Sequence, residues 1–207
     1  MRLYNKKQLQ VFKATSKDET RPALNGVLFE ENKVVATDGH RLVVVENKPM
    51  DEKDWPVNGV NWNTDNNDSF IVNRKSIEKA IKNIPKSKGR PILENVAIGL
   101  TEKGKATLQT TDLEHTDNIV TETAEGRFPD YKLVLPDVHS KKTEYKSKVA
   151  VNAKYMKEAF ELMGNLTDES GNVQIHIKDQ NSSIVLTCED QDNNKTTAVI
   201  MPMRMDK

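Results

Sequence analysis

The sequence predicts an α+β protein built from three copies of one β-α-β-β-β module. Three observations predict it. A short apolar strand ending in Asn opens each copy. A helical apolar stripe follows each Asn. Strands alternating with period two complete each copy, and their second members run into Thr37-Asp38, Thr111-Asp112 and Thr187-Cys188-Glu189. Repetition at a long period signals a chain assembled from one supersecondary unit.

The openings are Leu3-Tyr4-Asn5, Phe70-Ile71-Val72-Asn73 and Val149-Ala150-Val151-Asn152. Asn is a favoured helix N-cap, because its side-chain oxygen accepts an amide hydrogen of the first turn that otherwise has no partner. Apolar residues then recur at helical spacing. They are Leu9 and Phe12 in the first copy, Ile77, Ala80 and Ile81 in the second, and Met156, Ala159 and Phe160 in the third. That is one buried stripe on each helix. The first strands after the helices are 25–29, 95–98 and 172–175, and the closing strands are 42–46, 118–123 and 197–201. The modules therefore lie near 1–47, 68–125 and 147–207. The connection 47–68 is polar and carries Trp55 and Trp62, which we expect to pin it to the body. Connections this long are uncommon in compact domains.

Lys plus Arg and Asp plus Glu both number 31, so the net charge is zero. The balance argues against a generic polyanion binder, but its distribution is uneven. Residues 74–90 hold seven basic side chains and one acid, Glu78. Arg74 opens the second helix; Lys75, Lys79, Lys82 and, just past its end, Lys86 follow spacings of four, three and four and form one stripe, which Lys88 and Arg90 extend. Lys6 and Lys13 share a face of the first helix. In the third, Lys154 and Lys157 are offset by Glu158 and Glu161. A lysine stripe is commonly the solvated face of an amphipathic helix. It also suits sequence-independent contact with DNA phosphates.

No catalytic constellation emerges. His40, His115, His139 and His176 fall in separate segments without metal-ligand spacing, and no nucleophile elbow or phosphate-binding glycine loop is present. We expect no enzyme, no cofactor and no metal. The single Cys188 excludes an internal disulfide framework. The start lacks an apolar signal region and no stretch is long enough to span a membrane, so a cytoplasmic protein without membrane contact is expected.

Three stretches resemble the bacterial DNA sliding clamp, the β subunit of DNA polymerase III. They are TRPALNGVLFE (20–30) with ATDGHRL (36–42), EGRFPDY (125–131) with VLP (134–136), and VIMPMR (199–204). They occur in that family's order. The resemblance implies a DNA-clamp fold, with 1–136 matching the complete middle domain, 137–146 a linker, and 147–207 the second half of the last domain. The family's first domain has no counterpart here. It implies a peptide pocket built from Leu24, Thr37, Gly39, His40, Arg41, Leu42 and Pro136, then Val199, Ile200, Met201, Pro202, Met203 and Arg204. Replication and repair proteins, DNA polymerases among them, dock there by a short peptide. Apolar walls rich in Met adapt to varied anchors.

The resemblance also implies contact with duplex DNA through Lys6, Lys13, Arg74, Lys75, Lys79, Lys82, Lys86, Lys88 and Lys154, and loading by a clamp-loader ATPase. The family's ring holds twelve modules, so three per chain implies a tetrameric ring closed by cyclic contacts. A non-encircling peptide-binding competitor or modulator of a full-length clamp is the alternative.

Overall fold

The computed structural model describes residues 1–46, 55–56, 59–63, 69–86, 91–135, 147–167, 170–189, 191 and 195–204. The chain divides into two compact units, Met1–Leu135 and Pro136–Lys207.

The first unit holds the first two modules. Module one comprises β1 (Arg2–Asn5), α1 (Lys6–Leu9), β2 (Gly26–Phe29), β3 (Lys33–Thr37) and β4 (Leu42–Glu46). Module two comprises β5 (Phe70–Asn73), α2 (Arg74–Asn83), β6 (Asn95–Leu100), β7 (Ala106–Thr111) and β8 (Thr116–Thr121). Asn5 caps α1 as the sequence predicts. Its Oδ1 accepts the amides of Lys7 and Gln8, and Gln8 Oε1 accepts the amide of Asn5 in return. This reciprocal pairing is a capping box. After one turn, α1 tightens into a 3-10 segment, Gln10–Ala14. That segment buries Val11, Phe12 and Ala14, and Thr15 Oγ1 donates to the Phe12 carbonyl at 2.8 Å. Short 3-10 turns are frequent at helix ends. Asn73 caps the longer α2 through the amide of Ser76.

The strands do not stay within their own modules. The unit's two sheets run β4-β3-β2-β5 and β1-β6-β7-β8. Each module's opening strand is therefore the edge of the other's sheet. Asn73 stands opposite Gly26, and Asn5 opposite Asn95. Reading the modules as free-standing repeats misses this exchange, because pairing between distant segments leaves no local signature. The exchange fuses two modules around one core, in which Tyr4, Leu9, Phe12 and Phe29 pack with Ile77, Ala80, Val96 and Leu108.

A second cluster covers the opposite face of the β2–β5 sheet and includes Leu28, Val35, Ile71, Phe128 and Tyr131. Trp55 is buried against Leu3 and Ala97, and its Nε1–H donates to Gln109 Oε1 at 2.9 Å. Trp62 packs on the same cluster and bridges to Thr101. Both tryptophans pin their connection to the body, as expected.

The second unit comprises α3 (Ala153–Gly164), β9 (Gln174–His176), β10 (Ile184–Glu189) and β11 (Lys195–Ile200). Its sheet runs β11-β10-β9, and Met163, Ile184, Leu186, Cys188 and Ile200 form its core. Asn152 caps α3 through the amides of Lys154 and Tyr155. The strand expected at 149–152 does not form. Only an isolated bridge joins Ala150 to Met203, since no described strand lies beside the segment to extend a ladder. No described helix is long and apolar enough to cross a membrane.

Candidate nucleic-acid and peptide-binding surfaces

The lysine stripe is a consequence of how α2 is buried. Ile77 and Ala80 lie in the core, which leaves Lys75, Lys79 and Lys82 exposed on the helix; Lys86 is exposed three residues past its end, after Ile84 turns the backbone extended. α1 packs beside α2 in the same core, and Lys6 and Lys13 are exposed as well.

These cations are not equivalent. Lys75 Nζ lies 2.6 Å from Glu19 Oε1, and Lys82 Nζ lies 3.0 Å from Glu78 Oε1. The hydrogen bond and charge of Glu19 raise the Lys75 pKa, and those of Lys82 hold Glu78 below the usual carboxylate range. Among the described residues, Lys6, Lys13, Lys79 and Lys86 make no ion pair. Arg74 is half-buried, with its guanidinium 5.3 Å from the Phe12 ring centroid and Nη1 donating to Thr15 Oγ1 at 3.4 Å. Those contacts tie α2 to the end of the first helix. In α3, Lys154 and Lys157 pair with Glu158 and Glu161 at 3.9 and 3.4 Å, so that face is neutral. Lys88 lies outside the described residues.

The first half of the expected peptide site is one turn and a neighbouring loop. Thr37 Oγ1 donates to the Arg41 carbonyl at 2.8 Å and accepts the amide of Gly39 at 3.1 Å. Asp38 Oδ1 accepts the amides of His40 and Arg41, both at 3.0 Å. Those two bonds, with the adjacent Arg41 charge, hold the Asp38 carboxyl below its ordinary range. Gly39 adopts φ 93°, a left-handed conformation that glycine tolerates without strain. Arg41 is exposed but held, with Nε donating to Asp38 Oδ2 and Nη2 to the Lys13 carbonyl, both at 3.0 Å. Leu24 is half-buried, and its carbonyl accepts the Ser16 amide at 2.8 Å. Leu24 and the 37–42 turn are thus tied to the same short segment, 13–16. Leu42 packs on the Leu28–Tyr131 cluster.

The same turn recurs in module two, where Thr111 Oγ1 donates to the His115 carbonyl at 2.8 Å and Asp112 Oδ1 accepts the amides of Glu114 and His115. There Leu113 occupies the left-handed position at φ 82°. The recurrence of Thr-Asp before the closing strands of the first two modules is therefore a turn motif, with the threonine hydroxyl and aspartate carboxylate replacing backbone partners.

The second half lies at the end of β11. Val199, Met201 and Met203 are exposed, while Ile200 is buried in the unit's core. With Pro202, these residues line a cleft of about 530 Å³ bounded by Asn152, Tyr155, Glu158 and Ala159 of α3. Arg204 is exposed beyond it. Sequence reasoning missed the α3 wall. Tyr155, an aromatic residue off the helix's apolar stripe, was its available signal. Pro136 lies outside the described residues. Among the described residues, no three His, Cys, Asp or Glu side chains group in a way that could hold a metal ion.

No protein-family model and no curated protein matches the sequence. Solved structures do match. The chain is similar to the DNA polymerase sliding clamp of Bacillus subtilis, with a TM-score of 0.69 and 22% identity over 97% of this chain and 48% of that one. It is similar to the Pseudomonas aeruginosa sliding clamp, with a TM-score of 0.65 and 19% identity over 97% and 50% of the two chains. A third is the DNA polymerase III β subunit of Thermotoga maritima, at 0.62 and 20%, over 97% and 49%. The chain has the sliding-clamp fold, a mixed architecture of helices and antiparallel sheets, and spans about half the length of the clamps it matches.

Proposed function

We propose that the chain is a subunit of a DNA sliding clamp, a non-enzymatic processivity factor that encircles duplex DNA and recruits partner proteins. The observation that supports the reading is the set of exposed cations on and beside two adjacent helices of a clamp-fold unit, where Lys6, Lys13, Lys79 and Lys86 have no acidic partner among the described residues. Such cations neutralise phosphates whatever the base sequence. A short peptide of a DNA polymerase or repair protein binds the surfaces around Leu24, the 37–42 turn and the 199–203 cleft. Four chains, bringing twelve modules, form the ring, a clamp loader opens it on DNA, and it works in the cytoplasm.

The test is binding to a fluorescent duplex across a salt series, paired with co-fractionation on closed circular and linearised plasmid. The reading expects steep salt dependence and retention on the circle that linearisation releases. Salt-insensitive or absent binding counts against it.

The exposed apolar set Val199, Met201 and Met203 favours a second reading, in which the chain binds partner peptides without encircling DNA and competes with a full-length clamp. A polymerase-derived clamp-binding peptide that binds with micromolar affinity, with no retention on circular DNA, would select it.

A further inference from the structure

In the first unit, the exchange of opening strands is reciprocal. β5 lies against β2 and β1 against β6, each capping Asn standing opposite the first residue of the other module's second strand. Three residues along, Phe70 is opposite Phe29 and Arg2 opposite Ile98. This covering leaves Phe29 and Ile98 only 0% and 1% exposed.

The third module carries the same parts without the exchange. Its opening segment is placed as in module two. The Ala150 carbonyl accepts the amide of Met203 at 2.8 Å, as the Ile71 carbonyl accepts that of Ala124 at 2.9 Å. Each carbonyl lies two residues before its capping Asn. The second strands also correspond. Leu28, Ala97 and Gln174 face Val35, Gln109 and Thr187, each two residues before the last pair of its hairpin. Ile175 therefore stands where Phe29 and Ile98 stand, yet it is 51% exposed. Gln174 and His176 beside it are exposed too, and no described strand pairs with the outer edge of β9. β9 contains neither Lys nor Pro, the usual protection of a sheet edge. Phe160, eight residues after its Asn like the core-packed Ile81, is also exposed.

We propose that two copies of the chain associate through the second unit, each laying its 149–152 segment along β9 of the other. The register follows the first unit: Asn152 opposite Asn172 of the second copy, Val151 opposite Val173, Ala150 opposite Gln174, and Val149 opposite Ile175. A second copy is the occupant because the module presents both the strand to be given and the edge to receive one. A two-fold arrangement satisfies both at once, as isologous contacts do. A foreign peptide would fill one edge alone. Charge does not oppose the contact, since the cations of α3 are balanced by Glu158 and Glu161. The inference deepens the ring reading and rests on it for the place of this contact in the assembly, where two chains unite six modules.

The experiment uses the whole protein without DNA. Stoichiometry is measured by light scattering for wild type, Ile175→Asp and the first-unit control Leu133→Asp. Air oxidation of a Val149→Cys/Ile175→Cys double variant is followed on non-reducing gels. Directly opposed antiparallel residues lie within disulfide reach. Ile175→Asp should halve the stoichiometry and weaken association by about 100-fold or more, because an unpaired carboxylate would be buried at the contact. The control should leave it unchanged, and the double variant should give a covalent dimer that neither single variant gives. The cross-link decides the matter if Ile175→Asp does not fold.

A wild-type monomer at every concentration overturns the proposal. So does an assembly that ignores Ile175→Asp and yields no cross-link, which leaves a ring by another contact standing. A cross-linked dimer that never reaches four chains supports the contact and sinks the tetrameric ring.

Discussion

Removing Lys79 and Lys86 tests the proposed DNA surface in a way that composition alone could not specify. Each phosphate neutralised contributes about 0.9 to the slope of log K against log salt on duplex DNA. Lys79 and Lys86 make no ion pair among the described residues, so each can bring its full charge to a phosphate. The Lys79→Ala/Lys86→Ala variant should therefore lower the slope by about 1.8. Lys75 and Lys82 already contact Glu19 and Glu78, so replacing both should lower it by less. Glu78→Gln frees Lys82 and should strengthen binding. Fluorescence anisotropy with one duplex, from low to moderate salt, reads all three. The effects should be uniform across unrelated sequences, since phosphate contacts carry no base information. Equal slopes for wild type and the Lys79/Lys86 variant, or a larger loss from the paired lysines, would refute the assignment.

Other expectations follow from the fold and the sites. Gly26 meets the exchanged strand so closely that a β-carbon there would fall on Ile71 Cγ2 and 3.0 Å from the Val72 carbonyl. Gly26→Ala should cost about 1–3 kcal/mol in denaturant unfolding, the usual range for overpacking. Leu113→Gly should instead leave stability unchanged or raise it by up to about 1 kcal/mol, because it relieves a left-handed leucine that is largely exposed. Asp38 is held below its ordinary pKa by the His40 and Arg41 amides, so the turn's contribution is full above the unfolded aspartate value. That contribution is lost as pH falls through the lower folded value. An NMR titration should place the Asp38 midpoint below that of an unstructured aspartate, and Asp38→Asn should remove the dependence. Met201→Asp, at an exposed position in the 199–203 cleft, should abolish binding of a clamp-binding peptide in calorimetry while leaving the salt slope on DNA unchanged.

Much of the fold was legible because its signals are local. A capping Asn acts on amides two or three residues away, so Asn5, Asn73 and Asn152 mark their helices in sequence alone. Period-two and period-3.6 apolar patterns report which side of each element faces a core. The recurrent Thr-Asp pairs marked a turn whose bonds close within four residues. The proposed peptide site was legible only in outline: its residues came from the resemblance, whereas the Arg41 contact with the Lys13 carbonyl and the α3 wall of the cleft join segments that sequence does not relate.

By itself, then, the sequence determined three modules, their helix starts and their strands apart from the one expected at 149–152, the basic stripe of α2, and the likeness to a clamp. Tertiary structure alone decided that β1 and β5 change places, that Lys75 is paired with Glu19 while Lys79 has no ion pair among the described residues, and that Ile175 is left exposed where Phe29 and Ile98 are covered. The reason is physical. Caps and periodicities are set by neighbours along the chain, but strand pairing and ion pairing are set by which distant segments burial brings together. A strand's sequence encodes its readiness to pair, and the identity of its partner arises only when the core forms.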